Sequence, residues 1–234
     1  SEPGDMARVL PAGLSSALRR EARAAGAGLS TIVYAVWALL LARHASASDV
    51  TFGIARAGRR DAPDSAGLVG VALTTVPLRV SIAPNVSVRE WLRTVRSTQR
   101  ALAPHDHPGL AAVQRWSEVP FGTALFESVV VYDEAALDGQ VRAQAGRWAT
   151  RRFALHERTG HPLTFYAYGD PEITLRVAWN APYASPDGAA QLLDEVAGLF
   201  DMIATRPDAG VGTLLPTRSM PSLPQPPRDR SVRA

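Results

Sequence analysis

The chain has 234 residues, 46% of them hydrophobic and 20% charged, which is the composition of a folded globular protein and not of a disordered one. All 25 basic residues are arginine, and against 22 acids they leave a net charge of +3, too small a surplus to argue for nucleic acid. Cysteine is absent, which excludes thiol catalysis, disulfides and thiolate metal sites, and the five histidines fall in no metal-ligand spacing.

Residues 1–8 read as a flexible start, polar and acidic without the basic stretch of an export signal, so the expected compartment is the cytoplasm. From Pro11 to Ala25, Leu14, Leu18 and Ala22 recur at four-residue steps, with Arg19, Arg20 and Arg23 on the other side. That spacing predicts an amphipathic surface helix, stopped at Gly26 and Gly28. Leu29 to His44 follows, with Ser30 as the expected N-cap and apolar residues nearly all round, a pattern a helix tolerates only in the core. Its apolar run, Leu29 to Ala42, is 14 residues, short of the roughly 20 that span a bilayer, so no membrane is expected as a partner.

Asp49 to Ala55 is β-branched and predicts a strand, then a polar loop passes through Asp61, Pro63 and Asp64 to a second strand, Leu73 to Val80. Ser87 and Glu90 form a capping box that opens a helix from Val88 to about Ala103. Trp91, Leu92 and Val95 lie on one face of it and Arg89, Arg93, Arg96 and Arg100 on the other; Pro104 ends it. A short helix from about Leu110 to Trp116 precedes a buried strand, Ser128 to Tyr132, and a loop-like stretch from Asp133 to Thr150. Leu163 to Tyr168 and Ile173 to Trp179 read as a hairpin about Gly169, Asp170 and Pro171. Ser185 caps a last helix, Pro186 to about Ile203. Residues 207–234 read as a Pro/Arg-rich linker or tail, with six prolines from Pro207 to Pro227. The order of elements gives an α/β class: a mixed sheet with helices packed on it, over residues 9–206.

Several blocks carry a resemblance. Tyr34 to Arg59 is similar to a helix, strand and Ser-Gly-Arg turn, with Ala57, Gly58 and Arg59 at the turn. Leu68 to Val80 resembles G-x-F-V-N-T-x-P-x-R, matching at Gly70, Thr75, Pro77 and Arg79 and departing at Ala72 and Thr74. His105, Asp106, His107 and Pro108 resemble an eroded H-Q-D-x-P-F-E, with Gly109 in place of the aromatic. Pro120 to Tyr132 resembles a block ending in P-L-F, through Leu125 and Phe126, and His161 to Ser185 resembles a pair of strands before a final helix. In this order they resemble the C-terminal half of a condensation domain from a nonribosomal peptide synthetase.

That resemblance implies one lobe of a chloramphenicol-acetyltransferase-like fold and a share in forming amide bonds between carrier-bound acyl and aminoacyl thioesters. The implied partners are an N-terminal condensation lobe, acyl or peptidyl carrier proteins and a neighbouring adenylation domain. No cofactor is implied on the chain itself; the carriers bring a phosphopantetheine arm. The family's catalytic H-H-x-x-x-D-G motif does not occur in this sequence, so no catalytic residue is assigned and the chain alone is expected to be inactive. The alternative is a non-catalytic scaffold or carrier-docking module; an acyltransferase of the same fold using coenzyme A ranks below both.

Candidate tunnel-wall residues are Gly58, Arg59, Gly70, Thr74, Thr75, Arg79, His105 and Asp106. Gly58 and Arg59 either offer an arginine fork to a thioester or phosphate, or form a structural turn. Arg79 ends a strand expected to be buried, so a structural ion pair is favoured over a functional anion. Two imidazoles flanking Asp106 can share a proton or a cation, yet Pro104 and Pro108 bracket them as a helix-terminal loop, the favoured reading. Trp91, Trp116, Trp148 and Trp179 are expected in the core rather than as a stacking platform. Arg89, Arg93, Arg96 and Arg100 either meet an acidic carrier protein or form a solvated face.

Overall fold

Helix α2 (Leu29–Ala45) is apolar round its whole circumference, and every residue from Thr31 to Leu40 is buried. Such a helix has to be wrapped by other elements. The computed structural model describes residues 2–57, 73–105, 109–120, 122–136, 146, 159–170 and 172–215. The other helices are α1 (Ala12–Ala24), α3 (Val88–Leu102), α4 (Leu110–Trp116) and α5 (Pro186–Thr205). The strands are β1 (Gly4–Val9), β2 (Asp49–Ala57), β3 (Leu73–Ser81), β4 (Ser128–Ala135), β5 (Leu163–Asp170) and β6 (Thr174–Trp179).

The strands form one six-stranded mixed sheet in the order β1-β6-β5-β4-β2-β3, with β4 parallel to both β2 and β5 and all other pairs antiparallel. Side chains alternate between the two faces of a strand. Phe52 and Ile54, Leu78, Val130, Phe165, and Leu175 and Val177 all enter the same core as α1, α2, α3 and α5. The four long helices therefore cover one face, and the interleaved residues Gly53, Thr75, Thr164, Arg176 and Asp5 belong to the other. At the centre, the Trp37 indole N–H donates to Ser128 Oγ at 3.0 Å and its ring stacks on Phe165, with centroids 4.8 Å apart.

The local signals act where the sequence puts them. Ser87 Oγ accepts from the Glu90 N–H at 3.2 Å, and Ser185 Oγ from the Gly188 N–H at 3.2 Å, with Pro186 opening α5. Helix α2, by contrast, starts at Gly28 and not at Ser30: the Gly28 backbone is extended and its carbonyl accepts the Thr31 N–H at 3.1 Å, which places Ser30 inside the first turn.

Three expectations are corrected by long-range pairing. The expected flexible start contains β1, held as an edge strand by its register with β6 and by Asp5, whose Oδ2 accepts from Arg176 Nε at 2.9 Å. The loop-like stretch from Asp133 begins as strand, since β4 runs on to pair Ala135 with Asp170. The segment after Pro207 packs back on the domain as far as Leu215. Val88 N–H donates to Ala209 O at 2.9 Å, Val211 and Leu214 are buried, and an Arg43 guanidinium N–H donates to Leu214 O at 2.9 Å. Residues 216–234 lie outside the described residues. Among the described residues no single helix is long and apolar enough to cross a membrane.

Ser128→Ala removes the acceptor of the buried indole N–H and is expected to cost about 1–3 kcal/mol in urea unfolding. Trp37→Phe is also destabilising, and the double variant should cost less than the two together, because the second change removes a donor already orphaned. Strict additivity would show that the bond couples nothing.

Candidate functional site

The face away from the long helices owes its shape to a glycine. A Cβ at Gly53 would lie 2.5 Å from the Phe126 ring and 2.9 Å from Thr75 Cγ2, so only glycine lets that ring lie over β2. Phe126 is buried, and it meets the His161 ring at a centroid distance of 5.3 Å. The backbone of His161 is clamped at both ends: its N–H donates to Thr159 Oγ1 at 3.3 Å and its carbonyl accepts from Asn180 Nδ2 at 2.9 Å. The Asn180 N–H donates in turn to Pro162 O at 3.0 Å, which ties the entry to β5 onto the end of β6.

Two clefts meet at His161. The smaller, about 160 Å³, is polar and runs past Asp5, Thr164, Arg176 and Asn180. The larger, about 270 Å³, is walled by Leu110, Leu125, Phe126, Pro162 and Tyr183, with Gln114 and Glu127 at its polar positions. Burial pushes the His161 imidazole below its ordinary range, so at neutral pH it carries no charge. One ring nitrogen then donates and the other accepts. In the smaller cleft, Arg176 bonds Asp5 and lies 5.0 Å from the centre of the Tyr166 ring. Chemically, the arrangement can hold a polar ligand by hydrogen bonds; among the described residues no group of three or more His, Asp or Glu side chains is placed to hold a metal.

Of the tunnel-wall candidates, Gly58, Arg59, Gly70 and Asp106 lie outside the described residues. Thr75 lies on the Phe126 face, where its Cγ2 would be 2.9 Å from a Cβ at Gly53. Thr74, one residue earlier on β3, belongs to the opposite face, so the pair does not act together. Arg79 does form the expected ion pair, Nε to Asp49 Oδ1 at 2.8 Å, but it is not buried: β3 is an edge strand and the Arg79 side chain is 76% exposed. The Asp49 carboxyl is held below its usual range by the bond from Arg79. His105 is exposed at the end of a 3-10 turn, Ala103–His105, as a helix-terminal loop residue would be.

Arg89 leaves the proposed docking face. It binds Glu21 at 3.1 Å and Asp208 at 2.6 Å, and so ties α3 to α1 and to the segment after α5. Arg93 and Arg100 are exposed on α3, with Arg96 half-buried between them. Trp91 and Trp179 are core residues as expected, and Trp148 lies outside the described residues. Trp116 is 71% exposed, because the short helix α4 buries none of its residues. Sequence reasoning missed His161, Arg176 and Asn180, which belong to no spaced motif. The signal that was available is Gly53, a glycine inside a β-branched strand.

The family model for the condensation domain matches residues 2–223. The chondramide synthase cmdD of Chondromyces crocatus is 33% identical over 206 residues, which are 88% of this chain and 5% of that protein. The malpibaldin synthetase of Mortierella alpina is 31% identical over 208 residues, 87% of this chain and 4% of that protein. Among solved structures, the condensation domain of the monacolin K polyketide synthase MokA superposes with a TM-score of 0.74 at 17% identity, over 90% of this chain and 49% of that one. The four-domain nonribosomal peptide synthetase AB3403, bound to AMP and glycine, gives a TM-score of 0.78 at 12% identity, over 91% of this chain and 17% of that one. The chain thus spans about half the length of a solved condensation domain and a few per cent of the curated synthetases.

The buried imidazole of His161 gives a test. Its folded pKa lies below the unfolded value of 6.5, so the unfolded chain takes up the proton first as pH falls. The stability it contributes is present above the unfolded value and is lost as pH falls through the folded one. His161→Phe should remove that slice: the gap in thermal midpoint between the two proteins should shift between pH 7 and pH 5. A gap that stays constant would mean that the imidazole titrates like a free one.

Proposed function

This chain belongs to the condensation-domain family of nonribosomal peptide synthetases, and on that premise we propose that it is the C-terminal lobe of such a domain, working in the cytoplasm. The observation that carries this reading is the extent of the match: 90% of the chain covers 49% of a solved condensation domain. The fold agrees, as the mixed sheet with helices on one face is that of the chloramphenicol-acetyltransferase-like neighbours.

Amide formation from a thioester needs an oriented amine and a group that takes or stabilises its proton. The family places the second histidine of H-H-x-x-x-D-G at that amine, and no two histidines are adjacent in this sequence. The lobe would therefore position substrates while an N-terminal lobe supplies the histidine. Donor and acceptor would arrive on the phosphopantetheine arms of carrier proteins, with an adenylation domain as neighbour. Thr75 and Phe126, which crowd the space beside the Gly53 backbone, are the described residues best placed to form wall.

A second reading, docking of an acidic carrier protein, rests on α3, where Arg93, Arg96 and Arg100 share one side of the helix and Arg93 and Arg100 are exposed.

The main reading is tested by mixing the chain with an N-terminal condensation lobe carrying the histidine motif and with loaded donor and acceptor carriers, and detecting the peptidyl thioester by mass spectrometry. Product is expected only when both lobes are present; product from the chain alone would overturn the reading. For docking, titration with an acidic carrier should give an affinity that falls as salt rises, and Arg93→Glu with Arg100→Glu should weaken it roughly three- to tenfold. Binding indifferent to salt and to both changes would remove that face.

A further inference from the structure

The two outer strands of the sheet present different edges. On β3 the Ile82 N–H donates to Ser48 O at 2.7 Å, in the same register as Ser81 opposite Asp49, so even-numbered residues bond β2 and odd-numbered ones turn their backbone groups outward. That edge is blunted twice: Pro77 has no N–H to offer, and Ser81 O already accepts the Trp91 indole N–H at 2.9 Å. On β1 the Leu10 N–H donates to Ile173 O at 2.8 Å, in the same register as Val9 opposite Thr174. Even-numbered residues therefore bond β6, and Asp5, Ala7 and Val9 turn their N–H and C=O groups outward. All three residues are exposed, and among the described residues no strand pairs with β1 on that side. Its charges are spent within the copy, Asp5 on Arg176 and Arg8 on Asp194, so they do not keep another strand away.

The open edge is symmetric: Pro3 and Pro11 bound it, and Ala7 is its midpoint. Laid antiparallel against a second copy with Ala7 on the two-fold axis, Asp5 meets Val9, Val9 meets Asp5 and Ala7 meets its own counterpart, so every outward N–H and carbonyl of the three residues finds a partner. Moving the axis to Asp5, Met6, Arg8 or Val9 sets Pro3 or Pro11 opposite one of the three, where the N–H is missing. A foreign strand would need no such symmetry; a second copy does. We propose that β1 is a dimer edge, on which two copies of this chain pair β1 to β1 through Ala7 and join their sheets into one. The axis stands perpendicular to the sheet, so the two open faces look the same way. The contact is short and mostly backbone, so the dimer is weak and forms with rising concentration. It goes beyond the condensation reading and does not depend on it, since self-association is measured on the chain alone.

The test is sedimentation velocity of the full chain from about 1 to 300 µM, with amide hydrogen exchange followed over the same range by NMR. A dimer is expected at the upper end, and there the amides of Asp5, Ala7 and Val9 should exchange several-fold more slowly, while those of Met6 and Arg8, already bonded to β6, change little. Ala7→Pro removes an outward N–H without touching the β6 ladder and should weaken association roughly tenfold or more. Because the chain has no cysteine, a single one reports the register. Ala7→Cys should give a disulfide-linked dimer on mild oxidation, and Val9→Cys should not, since its two copies lie more than about 10 Å apart. A chain that stays monomeric throughout overturns the inference, whether the edge is idle or taken by a foreign strand. A dimer indifferent to Ala7→Pro, or one that Val9→Cys links as readily as Ala7→Cys, also overturns it. Should Ala7→Pro fail to fold, the two cysteine variants and the exchange pattern decide. A monomeric chain beside intact two-lobe amide formation sinks the dimer edge alone, and the reverse result sinks the lobe reading alone.

Discussion

Helix α2 has no side that water can wet. From Thr31 to Leu40 every residue is buried, and exposing any side of it would forfeit roughly 1.5–3 kcal/mol for each large apolar side chain. The surroundings follow from that demand: β2 and β4 lie beneath it, α1, α3 and α5 around it. At its centre the buried Trp37 indole N–H meets Ser128. That bond also fixes which face of β4 looks at the helices, because a slip of one residue would turn Ser128 away and orphan the donor.

Once the long helices occupy one face, the other is free to serve a different purpose. Its composition differs accordingly: Gly53, Thr75, Thr164 and Arg176 stand where the helical face carries Phe52, Val76, Phe165 and Val177. The clefts are therefore products of the same alternation that builds the core. Gly53 sets their boundary, since the missing side chain is the space that Phe126 occupies, and Phe126 in turn backs His161.

The elements were largely legible because their signals are local. A serine three residues before a backbone N–H it can accept and a proline at the first helical position act over a few residues. What could not be read depended on partners far along the chain. Nothing in residues 4–9 reads as a strand except that β6 lies beside them. Arg79 reads as buried because its strand does, and only the sheet order makes β3 an edge. Trp116 looked like core because its hydropathy says nothing of how little α4 covers. Arg89 looked like one of four equivalent arginines until Glu21 and Asp208, from distant segments, arrived beside it. For His161 the obstacle was different: a lone histidine outside any motif gains meaning only from the ring and clefts around it.

The pairing of β1 with β6 has a consequence for synthesis. Asp5 and Arg176, bonded in the finished sheet, are 171 residues apart. At ribosomal rates of about 5–20 residues per second, the first strand waits roughly 10–30 seconds for the last one to emerge. For most of that interval α2, the most apolar segment of the chain, is already outside the ribosome while α5, which must cover it, has not been made. The nascent chain thus presents its stickiest helix longest, and its yield in the cell should depend on how well that helix is shielded by chaperones before the sheet closes.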